Sequence, residues 1–310
     1  MSETSLVSVV MCTYNGAMYL DEQVKSILMQ EAVNLELIIV DDCSTDNTWE
    51  KLKQWQEKDR RIHLFRNELN LGYNRNFEQA IQKATGAYIA IADQDDIWMP
   101  SKLKKQVASL QSTTVVLSHC RSVRLQNGRL RIKSASLHHP FVGNDSRKLF
   151  MFNQINGHDM VFKKELMSKA MPLPKGMMYD WWIGVMATCY GNIVSVNELL
   201  VHHRIHEQNS FFTEKKERIK QPDLPEYLIQ FANIPSLKPE ALHFLTQLIQ
   251  AIRLHEQRVV DGFDTSFFNF LLVHGKTIFG HKKRWVPWFN YVKSAFKYSG
   301  KTYTGKGLSF

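Results

Sequence analysis

Apolar residues follow two rhythms in the first 120 positions. Short, dense runs at Leu6–Met11, Leu35–Val40, Ile62–Phe65, Tyr88–Ala92 and Val115–Ser118 read as strands, most of them covered on both faces. Between them the spacing changes to that of a helix. Leu20, Val24, Ile27 and Leu28 predict one over roughly Tyr19–Gln30. Trp49, Leu52 and Trp55 mark a second, with Asp46 or Thr45 as its cap. Phe77, Ala80, Ile81 and Ala84 mark a third, entered through the turn Asn70-Leu71-Gly72, and Leu103, Val107 and Leu110 a fourth. Strands alternating with helices predict an α/β fold built on a mostly parallel, doubly wound sheet. The last hundred residues change character and are helical in pattern. Leu242, Leu245, Ile249 and Ile252 share a face, and Phe267–Val273 is densely apolar.

A chain of 310 residues with 44% hydrophobic and 22% charged side chains has room for a large core. Its most apolar long stretch, Trp181–Val201, is interrupted by Thr188, Tyr190, Gly191, Asn192 and Asn197, and reads as core rather than a membrane span. The first residues carry no basic segment followed by a long apolar one, so no signal peptide is expected. Cys12, Cys43, Cys120 and Cys189 lie far apart, which predicts reduced thiols and a cytoplasmic protein.

Charge changes the picture at one end only. After Asp264 there is no acid but eight Lys or Arg, so the net charge of +9 is nearly all tail. That asymmetry points to an anionic surface. Past Pro287, Trp288, Phe289, Val292 and Phe296 line one side of a helix, with Lys293 and Lys297 beside them. Two readings stand: an interfacial helix on anionic lipid, or a helix packed back on the rest of the chain with its lysines in water. A nucleic-acid partner has no recognised motif to support it.

The candidate chemistry gathers where Tyr88–Ala92 ends in Asp93-Gln94-Asp95-Asp96. Carboxylates at the C-terminal edge of a buried strand face the crevice of an open α/β sheet, and oxygen ligands suit Mg²⁺ and Mn²⁺. After the first strand stands Thr13-Tyr14-Asn15-Gly16, with no glycine-rich phosphate loop, which disfavours a dinucleotide dehydrogenase and a P-loop NTPase. A receiver domain is disfavoured because its acids belong on earlier strands. A non-catalytic protein that binds a nucleotide, sugar or anion through a metal on the acidic cluster is the remaining alternative.

Four stretches together carry a resemblance: Ser8-Val-Val-Met-Cys-Thr-Tyr-Asn15, Leu37-Ile-Ile-Val-Asp-Asp-Cys-Ser-Thr-Asp-Asn-Thr48, Asn70-Leu-Gly72 and Ala92-Asp-Gln-Asp-Asp-Ile-Trp-Met-Pro100. In order and spacing they resemble family 2 of the glycosyltransferases, and the last is similar to the rhamnosyltransferase-like branch of bacterial surface-polysaccharide assembly. The resemblance implies a GT-A fold and a metal-dependent, inverting transfer from a nucleotide sugar. It divides the chain into a catalytic domain over 1–212, with a nucleotide-sugar half (1–118) and an acceptor half (119–212), and a helical, basic extension over 213–310.

Position by position, the resemblance puts Thr13, Tyr14, Asn15, Asp41, Asp42, Asn74, Asp93 and Arg204 on the nucleotide sugar, with Asp42 at the base. Tyr14 either stacks on that base or packs under the sheet edge. Asp95, with His206, holds Mn²⁺ or Mg²⁺ on the donor diphosphate. Met178-Tyr179-Asp180-Trp181-Trp182 resembles the segment that supplies the catalytic base, Asp180. Trp181 and Trp182, with one of them expected in the core, and His158 fall on the acceptor side. In His202-His203-Arg204-Ile205-His206-Glu207-Gln208-Asn209, His203 and Glu207 depart from the family's tyrosine and glycine. The implied partners are a dTDP- or UDP-sugar and a saccharide acceptor carried on lipid, met at the inner face of the membrane.

Overall fold

The strands form because their runs are apolar on both sides of the pleat, and helices cover both sides. A computed structural model describes residues 5–132, 138–206, 224–258, 263–282 and 287–300. β1 (Val7–Thr13), β2 (Leu35–Asp41), β3 (Ile62–Arg66) and β4 (Tyr88–Ala92) lie in the order β3-β2-β1-β4, all parallel. Their alternate residues feed two separate cores. Val9, Met11, Leu37, Ile39, Ala90 and Ala92 pack with Leu20, Val24 and Ile27 of α1 (Leu20–Leu28), Leu52 of α2 (Thr48–Lys58) and Leu103 of α4 (Lys102–Ser109). Val10, Ile38, Val40, Ile89 and Ile91 pack instead with Phe77, Ala80 and Ile81 of α3 (Tyr73–Gln82). The N-cap of α2 is Asn47 rather than the expected Asp46 or Thr45, and its side chain makes no capping bond; Asp46 sits one residue earlier, its Oδ1 accepting from Thr48 N at 2.9 Å.

The parallel pattern stops at β4. β8 (Met160–Lys163) inserts beside it antiparallel, with Ile89 opposite Phe162, and then pairs antiparallel with β6 (Val115–Gln126). The expected strand at Val115–Ser118 is therefore eight residues longer than its apolar run and does not neighbour β4. It turns through Asn127 (φ 51°) and Gly128 (φ 69°) into β7 (Arg129–Leu130), a hairpin signalled by the Asn-Gly pair. β9 (Asn192–Arg204) pairs parallel with β6, and β5 (Ile97–Trp98) closes the far edge antiparallel to β9. The sheet is thus mixed, with a parallel N-terminal half.

α5 (Met167–Ala170) and α6 (Tyr179–Tyr190) precede β9, and after β9 the elements of the described chain are helices: α7 (Leu224–Ala232), α8 (Pro239–Arg258), α9 (Thr265–Val273), α10 (Gly275–Phe279) and α11 (Pro287–Ser299). Phe231 of α7 meets Trp181 at 5.6 Å, Trp182 at 6.0 Å and Phe150 at 5.9 Å between ring centroids. Phe279 and Tyr298 reach Phe152 at 5.9 and 5.7 Å. One apolar cluster therefore runs from the parallel sheet through α6 into the C-terminal helices. Both Trp181 and Trp182 are buried there, and each indole N–H is spent on a backbone carbonyl, Leu149 at 2.7 Å and Ala170 at 2.8 Å. That corrects the expectation that these rings face an acceptor: both pack against Phe231 of α7 inside the core.

Phe231→Ala is expected to cost about 3–5 kcal/mol of stability, because it empties the space those two indoles share. Urea unfolding followed by circular dichroism measures this, and a loss below about 1 kcal/mol contradicts a shared core.

Candidate active site

The site lies at the C-terminal ends of β1, β2 and β4, where three loops tie one another down. Asp41 is fully buried and holds its own loop, accepting from Thr13 Oγ1 at 3.0 Å and from Ser44 N and Oγ at 3.0 and 2.5 Å. Asn15, at φ 49°, accepts from Thr45 N at 2.9 Å while its own N–H donates to Ser44 Oγ at 2.9 Å. Asp42 grips the turn before α3: Leu71 N, Gly72 N and Asn67 Nδ2 donate to it at 2.9, 2.9 and 2.7 Å. A carboxylate has about four acceptor sites, so these three bonds occupy most of those on the buried Asp42. Tyr14 is 46% exposed and does not pack under the sheet edge.

Gln94, unmarked by the sequence reading, joins the first and fourth strand ends. Its Oε1 accepts from Tyr14 N at 2.9 Å and its Nε2 donates to Tyr14 O at 3.1 Å. A Cβ on Gly16 would sit 2.1 Å from that Oε1, so the glycine clears space for the bridge. The only sequence hint was its place between two aspartates.

β5 follows the acidic loop directly and pairs with β9, Ile97 opposite His202 and Trp98 opposite Val201. That register lays Arg204–His206 along Asp95 and Asp96. Arg204 N donates to Asp96 Oδ1 at 3.0 Å, and its Nε to Asp95 O at 2.8 Å, while a guanidinium nitrogen pairs with Glu22. His206 Nε2 lies 2.8 Å from Asp95 Oδ2, with both side chains largely but not wholly covered. The expected pair of metal donors is therefore in contact. Glu207 lies outside the described residues.

Behind these acids stands His158. Its Nδ1 is 3.1 Å from Asp93 Oδ2 and 3.8 Å from Asp96 Oδ2, and its Nε2 is 3.3 Å from Ser122 Oγ. Burial opposes its charge, but Asp159, Asp96 and Asp93 outweigh it and lift the imidazolium to about 10. In return, although burial works against it, Asp93 is held below the ordinary carboxylate range by this cation. Asp96, fully buried and beside the charges of Asp93 and Asp95, is pushed well above that range, and its Oδ2 has no hydrogen-bond partner. His203, 4.6 Å from the His158 ring, is lowered to about 4 by burial and by the His158 charge. His158 thus serves the acids from within rather than facing an acceptor. The sequence could have flagged it by Asp159 alongside.

Asp180 opens α6, with Trp181 N donating to its Oδ1 at 2.7 Å. Burial, with Asp93 adding repulsion, raises its carboxyl to about 6. Asn74 positions that segment rather than lying free for a nucleotide, because its Oδ1 accepts from Tyr179 N at 3.0 Å. Gly157 is glycine because a Cβ there would sit 2.0 Å from the Tyr179 hydroxyl. Among the described residues, Asp93, Asp96 and His158 also bring ligand atoms within 4.8 Å of one another, a second donor set compatible with a divalent ion. The buried, unpartnered Asp96 oxygen fits such an ion, but the His158 proton would have to leave first.

A mixed α/β sheet with acids at the ends of its second and fourth strands is the arrangement of a glycosyltransferase of GT-A type, and the comparisons agree. The Glycosyl transferase family 2 profile matches residues 8–169, and the chain belongs to that family. An uncharacterized glycosyltransferase of Methanocaldococcus jannaschii is 31% identical over 231 residues, 72% of this chain and 77% of its own length. The Escherichia coli UDP-Glc:α-D-GlcNAc-diphosphoundecaprenol β-1,3-glucosyltransferase WfgD is 36% identical over 110 residues, 36% of this chain and 43% of its own. Among solved structures, S. aureus TarS 1–349 in complex with UDP-GlcNAc shares the fold at TM-score 0.62 and 18% identity, covering 88% of this chain and 81% of its own.

The Asp180 carboxyl is expected to titrate near 6. ¹³C NMR of labelled aspartate, with Asp180→Asn to assign the signal, measures it, and a midpoint near the ordinary 4 contradicts the burial argued above.

Proposed function

We propose that this protein moves a sugar from a nucleotide diphosphate donor, dTDP-rhamnose or a UDP-sugar, to a hydroxyl of a lipid-linked saccharide, with inversion, in bacterial surface-polysaccharide synthesis. One observation carries the reading: Asp180, raised to about 6, lies within electrostatic reach of Asp93, and Asp95, two residues on from Asp93, is paired with His206. Family membership disfavours a purely binding role. The match to WfgD, whose name specifies a diphosphoundecaprenol-linked acceptor, supports the lipid link.

In this reading the exposed Tyr14 ring and the remaining acceptor site of Asp42 receive the base, while Thr13, Asn15 and Asp41 keep their loops in place. Asp95 and His206 suit a hard or borderline divalent ion, Mn²⁺ or Mg²⁺, since a carboxylate oxygen and an imidazole nitrogen are already side by side. Such an ion, when bound, neutralises charge on the departing diphosphate. Arg204, oriented by Asp95 O and Glu22, adds a fixed positive charge to the same region. Asp180, ionised for the most part at neutral pH, takes the proton of the acceptor hydroxyl as its oxygen attacks the anomeric carbon. The glycosidic bond forms as the bond to the diphosphate breaks on the opposite face, which inverts the anomeric centre.

Three expectations test this. Calorimetry with UDP and dTDP should show binding that needs Mn²⁺ and that Asp95→Asn abolishes; equal affinity with and without the metal contradicts it. Asp180→Asn should lower transfer by about 10²–10⁴-fold while donor affinity stays within a few-fold. Near-normal turnover in that variant assigns the base elsewhere. For the native enzyme, kcat/KM should rise with pH through about 6, as Asp180 loses its proton, and then level off.

A further inference from the structure

Helix α11 is packed inside out. The side it turns to the protein carries Asn290, Ser294, Ala295, Tyr298 and Ser299, all buried. Two of these polar groups are engaged there: Asn290 Nδ2 donates to Lys282 O at 3.4 Å, and Ser294 Oγ accepts from Lys282 Nζ at 3.2 Å. The side it turns outward carries Trp288, Phe289 and Phe296, which are 58, 65 and 64% exposed, together with exposed Lys293 and Lys297. An amphipathic helix at a water surface does the reverse. Phe263, also exposed, lies 4.9 Å from the Phe296 ring and 5.3 Å from Phe268, so the apolar surface extends to the start of α9. Contiguous aromatic exposure of this kind marks a surface that meets something other than water.

The charge around the patch says what it meets. Beyond Asp264 the sequence contains no acid, and Asp264 itself is buried, capping α9 through Ser266 N and Phe267 N and paired with His255. Protein interfaces favour aromatics but are poor in lysine. A second copy would bring Lys293 and Lys297 against a like-charged face without acids from this stretch to meet them. Aromatic side chains interleaved with lysines, in a stretch without an acid beyond Asp264, match instead the boundary between lipid headgroups and acyl chains.

We propose that the outward face of α11, with Phe263, docks the protein peripherally on an anionic bilayer. Trp288, Phe289 and Phe296 enter the headgroup boundary, and Lys293 and Lys297 face the lipid phosphates. Among the described residues no helix is long and apolar enough to cross a membrane. The inference deepens the proposed function, on which it rests only for the place where a lipid-linked acceptor is met. Lys283, Arg284, Trp285, Lys301 and Lys306 of the same acid-free stretch lie outside the described residues.

The test is flotation of the full chain with phosphatidylglycerol or phosphatidylcholine vesicles, at low and high salt, without donor or acceptor. The native protein should float with the anionic vesicles only, and less as salt screens the attraction. Combining Trp288→Ser, Phe289→Ser and Phe296→Ser should abolish flotation while leaving thermal unfolding and UDP binding unchanged, since all three side chains are exposed. Lys293→Gln with Lys297→Gln should weaken binding about thirtyfold, at a factor of about five per lysine. The proposal is overturned if the native protein stays with the unbound fraction, or if the triple serine variant floats as the native does. It is equally overturned if the native chain dimerises and those substitutions make it monomeric with no effect on vesicles, which assigns the patch to a second copy. UDP binding on the same samples separates this failure from a failure of the transferase reading.

Discussion

A two-residue strand pairing holds the site together. β5 pairs with β9 through Ile97 and Trp98 only, yet that register decides what stands opposite the acidic loop. A shift of one residue would turn every β9 side chain to the other face. His206 would then leave Asp95, and the Arg204 N–H would leave Asp96. The pairing is secured from both sides. Trp98 is buried, its backbone N–H donates to Ser26 Oγ at 3.0 Å, and Met99 N donates to Leu200 O at 2.9 Å. Residues more than a hundred positions apart in sequence are thus placed by a short β ladder rather than by loop chance.

Charge is the second constraint. Asp93, Asp95, Asp96, Asp159 and Asp180 cluster in a region largely withdrawn from water, where like charges cannot all be ionised cheaply. The protein resolves this unevenly. His158 supplies an internal cation that keeps Asp93 ionised, Asp96 is driven toward its neutral form, and Asp180 is left near 6. In the proposed reading, pushing the properties of neighbouring carboxyls apart lets one site hold ligand acids and a base together.

Much of this was legible in the chain. Dense apolar runs gave β1, β2 and β4 almost to the residue, because a strand buried on both faces leaves little freedom in its composition. Asp41, Asp42, Asp93 and Asp95 fall at strand ends, and the structure puts them there. What the pattern hid was long-range pairing. Met160–Lys163 is too short to announce itself as a strand, so its insertion between β4 and β6 was invisible. The two tryptophans after Asp180 were read partly as sugar platforms, because nothing local distinguishes a ring facing an acceptor from one facing α7. Asn74 and His158 are committed to Tyr179 and to the acids respectively, roles set by contacts across the fold.

The central claim is that Asp95 and His206, rather than the buried trio of Asp93, Asp96 and His158, form the metal pair. Electron spin-echo envelope modulation on the Mn²⁺- and UDP-loaded protein tests it directly, since a coordinated imidazole imprints its ¹⁴N on the manganese signal. The account predicts nitrogen modulation that disappears in His206→Gln and survives in His158→Gln. Modulation that persists without His206 and vanishes without His158 would contradict it.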